Sequence, residues 1–101
     1  MSYINKLVYV RSNAPEFFKY LKGHFGMVIR TKGWDTLYVD FGGGVKQAIK
    51  DKFVAELKVG DTVIYCGEER EVINVDTDGT VLISEPTLTA IWVGMREIKY
   101  I

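Results

Sequence analysis

The stretch Gly23-His24-Phe25-Gly26-Met27-Val28-Ile29-Arg30-Thr31-Lys32-Gly33-Trp34-Asp35-Thr36-Leu37-Tyr38-Val39-Asp40-Phe41 predicts the type of fold. Two apolar runs flank Lys32-Gly33, and from position 37 to 41 apolar and polar residues alternate. Alternation with a period of two is typical of a half-buried strand, and a glycine between two such runs marks a hairpin. The stretch therefore predicts a β-hairpin in the first half of the chain.

Short extended segments surround this hairpin and are bounded by turn residues. Strands are predicted over 4–11, 25–31, 34–41, 52–57, 62–66, 70–76, 80–84, 88–93 and 97–101. Pro15 and Glu16 suit the start of a short helix, and the spacing of Val45, Ile49 and Phe53 predicts another over 45–51. Asp78-Gly79 is the strongest hairpin-turn signal, of type I′.

These elements predict an all-β fold, made of two tandem five-stranded barrels or one fused barrel, with one or two short helical turns. The predicted domains are residues 1–58 and 59–101. Segments 22–42 and 66–86 resemble a repeat, because each places a glycine, an apolar run, a turn and a second run in the same order. Segments 55–57 and 96–98 are interpreted as the matching final strands. Three connecting residues, 58–60, are too few for a flexible linker.

Composition bounds the class of protein. A length of 101 residues allows one domain or two very small ones, and 48% hydrophobic residues is typical of a globular fold. The first six residues lack the hydrophobic core of a signal peptide, and no apolar run is long enough to span a membrane. The expected location is therefore the cytoplasm. A single cysteine, Cys66, excludes an internal disulfide and a multi-cysteine zinc site.

Charge is distributed unevenly although the formal net charge is zero. Residues 1–58 hold ten Lys and Arg against five Asp and Glu, a net charge of +5, whereas residues 59–101 hold three against eight, a net charge of −5. This asymmetry indicates that the first half faces a polyanion, or that the two halves attract each other.

Segments 22–28 and 39–41 resemble Src-homology-3-like small barrels of the KOW type. In that family a K-G-x-x-G-x-V segment opens a hairpin whose second strand ends near V-x-F, and residues 59–63 and 70–72 offer a weaker version. The resemblance implies contacts with RNA, DNA or protein partners. Similar barrels also serve as docking subunits in redox complexes and as pieces of virion connectors, so a phage-like assembly protein is also implied.

The candidate nucleic-acid-binding residues are Arg11, Lys22, Arg30, Lys32 and Trp34. Cations on the solvent face of the hairpin would neutralise phosphates while the indole of Trp34 stacks on a base. The alternative is that Trp34 packs beside the hairpin turn and the cations only keep the sheet soluble.

Other chemistry-bearing residues predict no site. One histidine, His24, cannot build a metal centre, and acidic neighbours would raise the pKa of the Cys66 thiol, which is the wrong direction for a nucleophile. The acidic residues around 68–78 are interpreted as solvated turns, Gly42-Gly43-Gly44 as a flexible turn, and Trp92 as a core residue. No catalytic set can be assembled, so neither an enzyme nor a cofactor is expected.

The leading prediction is a non-enzymatic protein that contacts nucleic acid, or a nucleic-acid-processing protein complex, through its basic first half. A protein-docking adaptor or inhibitor is the first alternative. A structural assembly subunit is the second, because exposed strand edges of small barrels pair readily and permit oligomerisation. No membrane partner is expected.

Overall fold

The computed structural model of the chain describes residues 5–87 and 89–100. It confirms the all-β prediction, since the described residues form two five-stranded antiparallel sheets with only three short 3-10 turns between strands. The first sheet contains β1 Leu7–Val10, β2 Phe25–Lys32, β3 Thr36–Gly42, β4 Val45–Lys50 and β5 Val54–Glu56. The second contains β6 Thr62–Tyr65, β7 Glu68–Val75, β8 Thr80–Glu85, β9 Thr89–Gly94 and β10 Ile98–Tyr100.

Both sheets have the same strand order. The first runs β4-β3-β2-β1-β5 and the second runs β9-β8-β7-β6-β10. In each, the last strand pairs with the first, and a 3-10 turn (Asp51–Phe53 or Met95–Glu97) precedes that last strand.

The two sheets also match in register, with a constant offset of 44 positions from β2 onward. The cross-strand row Arg30–Tyr38–Ala48 corresponds to Asn74–Leu82–Trp92, and a β-bulge falls between 28 and 30 in β2 and between 72 and 74 in β7. For β1 and β6 the offset is 55, because the loop after β1 is longer by 11 residues. The sheets are therefore an internal duplication at the level of individual residue pairs.

The predicted repeat of 22–42 and 66–86 has this same offset of 44 and is confirmed. The predicted correspondence between the final strands of the two halves is wrong in register. Residues 54–56 correspond to 98–100, whereas the sequence matched 55–57 with 96–98. The predicted strand ends at residues 4, 88 and 101 lie outside the described residues.

The predicted helix over 45–51 is wrong, since Val45–Lys50 is strand β4 along the edge of the first sheet. A spacing of four residues fits a strand as well as a helix, because positions i and i+4 share a face in both. Ile49 points into the core, whereas Val45 remains exposed near the turn. Asp78-Gly79 does lie in a hairpin loop, but only Gly79 has a positive φ, so the turn is not type I′. The positive-φ pair typical of that turn is instead Cys66-Gly67.

Two hydrophobic clusters form the core, and one of them is shared between the sheets. The first contains residues of the first half alone, including Val8, Val28 and Val39 from the strands and Ala14 from the loop after β1. The second combines inward residues of β6–β10 with Leu7, Phe25 and Leu57. The inner face of the second sheet is thus covered by side chains from the first half.

Hydrogen bonds and close packing join the halves at this contact. The Tyr100 N–H donates to the Gly23 carbonyl at 2.8 Å, and the rings of Tyr9 and Tyr100 stack with centroids 3.6 Å apart. Burial and the contact with Tyr100 raise the pKa of Tyr9 to about 12. The Arg96 side chain crosses Gly42 and Gly43, so these glycines provide a close approach as well as a turn.

Candidate nucleic-acid interface

The outer face of β2, β3 and β4 forms a cationic face, made of the four cations Arg30, Lys32, Lys46 and Lys50 around Tyr38. On β3 the residues Leu37, Val39 and Phe41 point into the core, so the alternate residues point outward. Cross-strand pairing places Lys32 and Lys50 beside Thr36, and Lys46 beside Asp40. Opposed residues on one face lie within reach of each other, so the cations are neighbours on one surface.

Most of this charge is available to a ligand. Within residues 5–87 and 89–100, Arg30, Lys32 and Lys46 have no carboxylate within 4.0 Å, while Lys50 pairs with Asp35 at 3.1 Å. The Arg30 guanidinium lies over the Tyr38 ring, 4.6 Å from its centroid, which fixes the cation above the sheet. The Asp40 carboxylate accepts a hydrogen bond from the Gly42 N–H at 2.8 Å.

The tip of the β2–β3 hairpin presents an aromatic ring beside the cations. Trp34 is 99% exposed, so the alternative that its ring packs beside the turn is wrong. The neighbouring backbone is fixed, because the Asp51 N–H donates to the Asp35 carbonyl at 2.8 Å. Hydrogen bonds from Lys50 and Thr36 lower the pKa of the Asp35 carboxyl, which keeps the ion pair at the tip charged.

The five predicted residues fall into two groups. Arg30, Lys32 and Trp34 lie on the hairpin, whereas Arg11 and Lys22 line a depression of about 380 Å³ beside the Tyr9–Tyr100 stack. The 3-10 turn Asp51–Phe53 lies between the two groups. At one end of this turn the Asp51 N–H donates to the Asp35 carbonyl of the hairpin, and at the other end the Phe53 carbonyl accepts a hydrogen bond from the Arg11 N–H at 2.8 Å. Exposed Lys52 occupies this turn.

Sequence reasoning misses Lys46 and Lys50 because the spacing of apolar residues predicts a helix over 45–51. A helix over 45–51 implies no pairing with the hairpin, whereas in β4 Lys46 and Lys50 lie directly across from β3. The sequence carries no clear strand signal here, because polar Gln47 shares a face with Ile49 and apolar Ala48 shares a face with the two lysines.

The remaining candidates supply no further ligand set. His24 is half-buried, and burial together with the Lys99 charge lowers its pKa. Cys66 is exposed in the β6–β7 turn. Trp92, predicted to be core, is 50% exposed on the outer face of β9, because its register pairs it with outward Leu82. Across the described part of the chain, no three His, Cys, Asp or Glu side chains lie close enough to hold a metal ion.

Comparison with models of known protein families and with curated proteins gives no match to this chain. Within the described residues, no helix has the length and apolar character needed to cross a membrane.

Proposed function

We propose that the protein is a non-enzymatic binder of single-stranded nucleic acid and that the cationic face is its contact surface. The single observation that carries the proposal is the alignment of Arg30, Lys32 and Lys46 on one sheet face with a fully exposed tryptophan at its end. Cations that track a phosphate backbone beside an aromatic platform are the two components of sequence-tolerant single-strand binding.

Each component has a separate physical role in this proposal. The cations displace counterions from the phosphates, so affinity falls as salt rises. The Trp34 indole stacks on one unpaired base, an interaction that depends little on salt. Arg30 is held against the Tyr38 ring before any ligand arrives, which lowers the entropic cost of ordering its long side chain.

The resemblance to Src-homology-3-like and KOW barrels agrees with this proposal. The order of a strand, a loop, the segment 22–28 and a hairpin ending at Val39-Asp40-Phe41 supports the proposed resemblance. Two such units in tandem would belong to a class whose members contact RNA, DNA or proteins. Arg11 and Lys22 would then extend the contact past the turn that carries Lys52.

Fluorescence anisotropy with a labelled oligo-dT tests the proposal. Phosphate contacts of the three unpaired cations predict a slope of about −2 in a plot of log affinity against log salt, since each contact on a single strand contributes about −0.7. The variant Arg30→Ala/Lys32→Ala should weaken binding and reduce the slope by about 1.4, because two contacts are lost. Trp34→Ala should weaken binding about five- to hundredfold at an unchanged slope.

The matched control is Lys6→Ala/Lys19→Ala. It removes the same charge from the same half, but these lysines already pair with Glu56 and Glu16 and lie outside the cationic face. We expect its affinity to stay within about twofold of wild type, because neither lysine contacts the ligand in this proposal. Equal loss in both double variants would show attraction by net charge alone, and salt-independent binding or none would contradict the proposal.

A further inference from the structure

The outer face of the second sheet lacks the cations of the first sheet at the corresponding positions. We call it the acidic-apolar face, made of Ile73, Leu82 and Trp92 together with Glu69, Glu71 and Asp76. Arg30 and Lys32 of the cationic face correspond to Asn74 and Asp76, and Lys46 corresponds to Ala90. The positions that hold cations in the first sheet therefore hold neutral residues or Asp76 in the second, and Glu69 and Glu71 add carboxylates where the first sheet has Phe25 and Met27.

This face is open to solvent in the single chain. Trp92 is 50% exposed and Ile73, the residue at the β7 bulge, is 38% exposed. Glu69 and Glu71 are exposed at the side of this apolar group, and the one cation in the same row is Lys99 of β10, which pairs with Ile64. An apolar centre beside unpaired and mainly negative charge is the arrangement of a protein-docking surface.

We propose that the acidic-apolar face of one copy docks on the cationic face of a second copy. Charge complementarity selects this occupant. Within the described residues, Arg30, Lys32 and Lys46 have no carboxylate oxygen within 4.0 Å, and Glu69 and Glu71 have no Lys or Arg nitrogen within 4.0 Å. Apolar side chains also match, since bulge residue Ile29 and the Tyr38 ring lie among the cations. A net charge of zero leaves no long-range repulsion against the contact.

The geometry of such a contact follows from the duplication. The two faces belong to different sheets of one chain, so the contact is heterologous: after it forms, one copy retains a free cationic face and the other a free acidic-apolar face. Association then continues head to tail until a ring closes or a filament grows. The cationic face is also the proposed nucleic-acid surface, so an oligonucleotide competes with the second copy, although self-association does not depend on nucleic-acid binding.

Sedimentation velocity at about 50 mM and about 500 mM salt tests the proposal, because exposed charge pairs are screened at the higher salt. Wild type should show a mass that grows with concentration at low salt and approaches the monomer mass at high salt. Two variants reverse one face each: Lys32→Glu/Lys46→Glu makes the cationic face acidic, and Glu69→Lys/Glu71→Lys makes the acidic-apolar face basic. Each variant alone should remain monomeric, and an equimolar mixture of the two should associate again.

A third variant separates apolar docking from charge. Trp92→Ala leaves every charge in place and should weaken association about tenfold, as is typical for removal of a central aromatic anchor. Circular dichroism of each variant verifies the fold. A wild-type protein that stays monomeric at low salt overturns the proposal, as does a mixture of charge variants that fails to associate. Oligo-dT binding by Glu69→Lys/Glu71→Lys, whose cationic face is intact, reports separately on the proposed function.

Discussion

Gly26 illustrates how a single residue sets the packing of the first sheet. It lies in β2 with an ordinary strand conformation, and a Cβ at this position would overlap Val39 Cγ1 and approach Phe41 Cδ1 to 2.9 Å. The glycine is therefore required by space rather than by backbone conformation, because β3 side chains fill the volume that a larger residue would occupy.

Gly26→Ala should lower the free energy of unfolding by about 1–3 kcal/mol, the usual cost of overpacking a core. Gly94→Ala is the matched control, since Gly94 also has a negative φ and its added Cβ would lie 3.4 Å from Glu97 Oε2. The control should change stability by no more than about 0.5 kcal/mol. Urea unfolding measures both variants, and equal effects would contradict this account of Gly26.

His24 gives stability a pH dependence near neutrality. Burial and the Lys99 charge lower its pKa below the usual 6.5, so the unfolded chain binds the proton more readily than the folded protein. The free energy of unfolding should therefore fall as pH decreases through 6.5, and this loss should end below the folded pKa. The lowered pKa values of Asp35 and Asp78 act only near and below 3.8.

His24→Gln should remove this pH dependence between about pH 7.5 and pH 5.5, because glutamine does not titrate. Urea midpoints at the two pH values measure it. The chain contains one histidine, so wild type should lose stability across this interval while the variant stays level. Parallel behaviour of the two proteins would assign the dependence to another group.

At the scale of elements, the sequence predicted the hairpin and the offset of the repeat because alternation and glycine positions are local signals. It did not predict β4, since the spacing of Val45 and Ile49 is compatible with either period. That one error hid half of the cationic face, because Lys46 and Lys50 join it only across β3. The sequence also did not predict the exposure of Trp92. The face of β9 that is covered depends on packing against the other sheet, which a local pattern does not show.

The turn between β3 and β4 provides a test of contact between elements. Gly42 has a φ of 84°, and an added Cβ would lie 2.6 Å from Arg96 Cδ, whereas Gly44 has the same φ with nothing within 4 Å. Gly42→Ala should therefore cost more than Gly44→Ala, whose cost is left-handed strain of about 1–2 kcal/mol. In an Arg96→Ala background the extra cost should disappear, with a coupling of about 0.5–3 kcal/mol. Thermal unfolding of the double-mutant cycle measures it, and additive effects would contradict the contact.

At the scale of the whole molecule, the two sheets differ in that the outer face of the first sheet is partly covered by the second, whereas no third sheet in the described part of the chain covers the outer face of the second. The outer face of β1 and of the first residues of β2 is apolar and is covered by the second sheet through Leu7, Tyr9, Phe25 and Met27. The corresponding outer positions on β6 and β7 are Thr62, Ile64, Glu69 and Glu71. If another sheet packed on these positions as the second sheet packs on the first, the carboxylates would be buried without partners, which is unfavourable.

Sharing of the second core predicts that the halves unfold together. Leu7 belongs to β1 of the first sheet but is buried at 3% exposure among β6–β10 residues, so Leu7→Ala should cost about 2–5 kcal/mol. Native-state hydrogen exchange should show lower protection at amides of both sheets, for example in β3 and β8. Val45→Ala, at a position 48% exposed, should leave protection within about 0.5 kcal/mol of wild type. Loss of protection confined to the first sheet would show two independent cores, since the cavity would then leave the packing of the second sheet undisturbed.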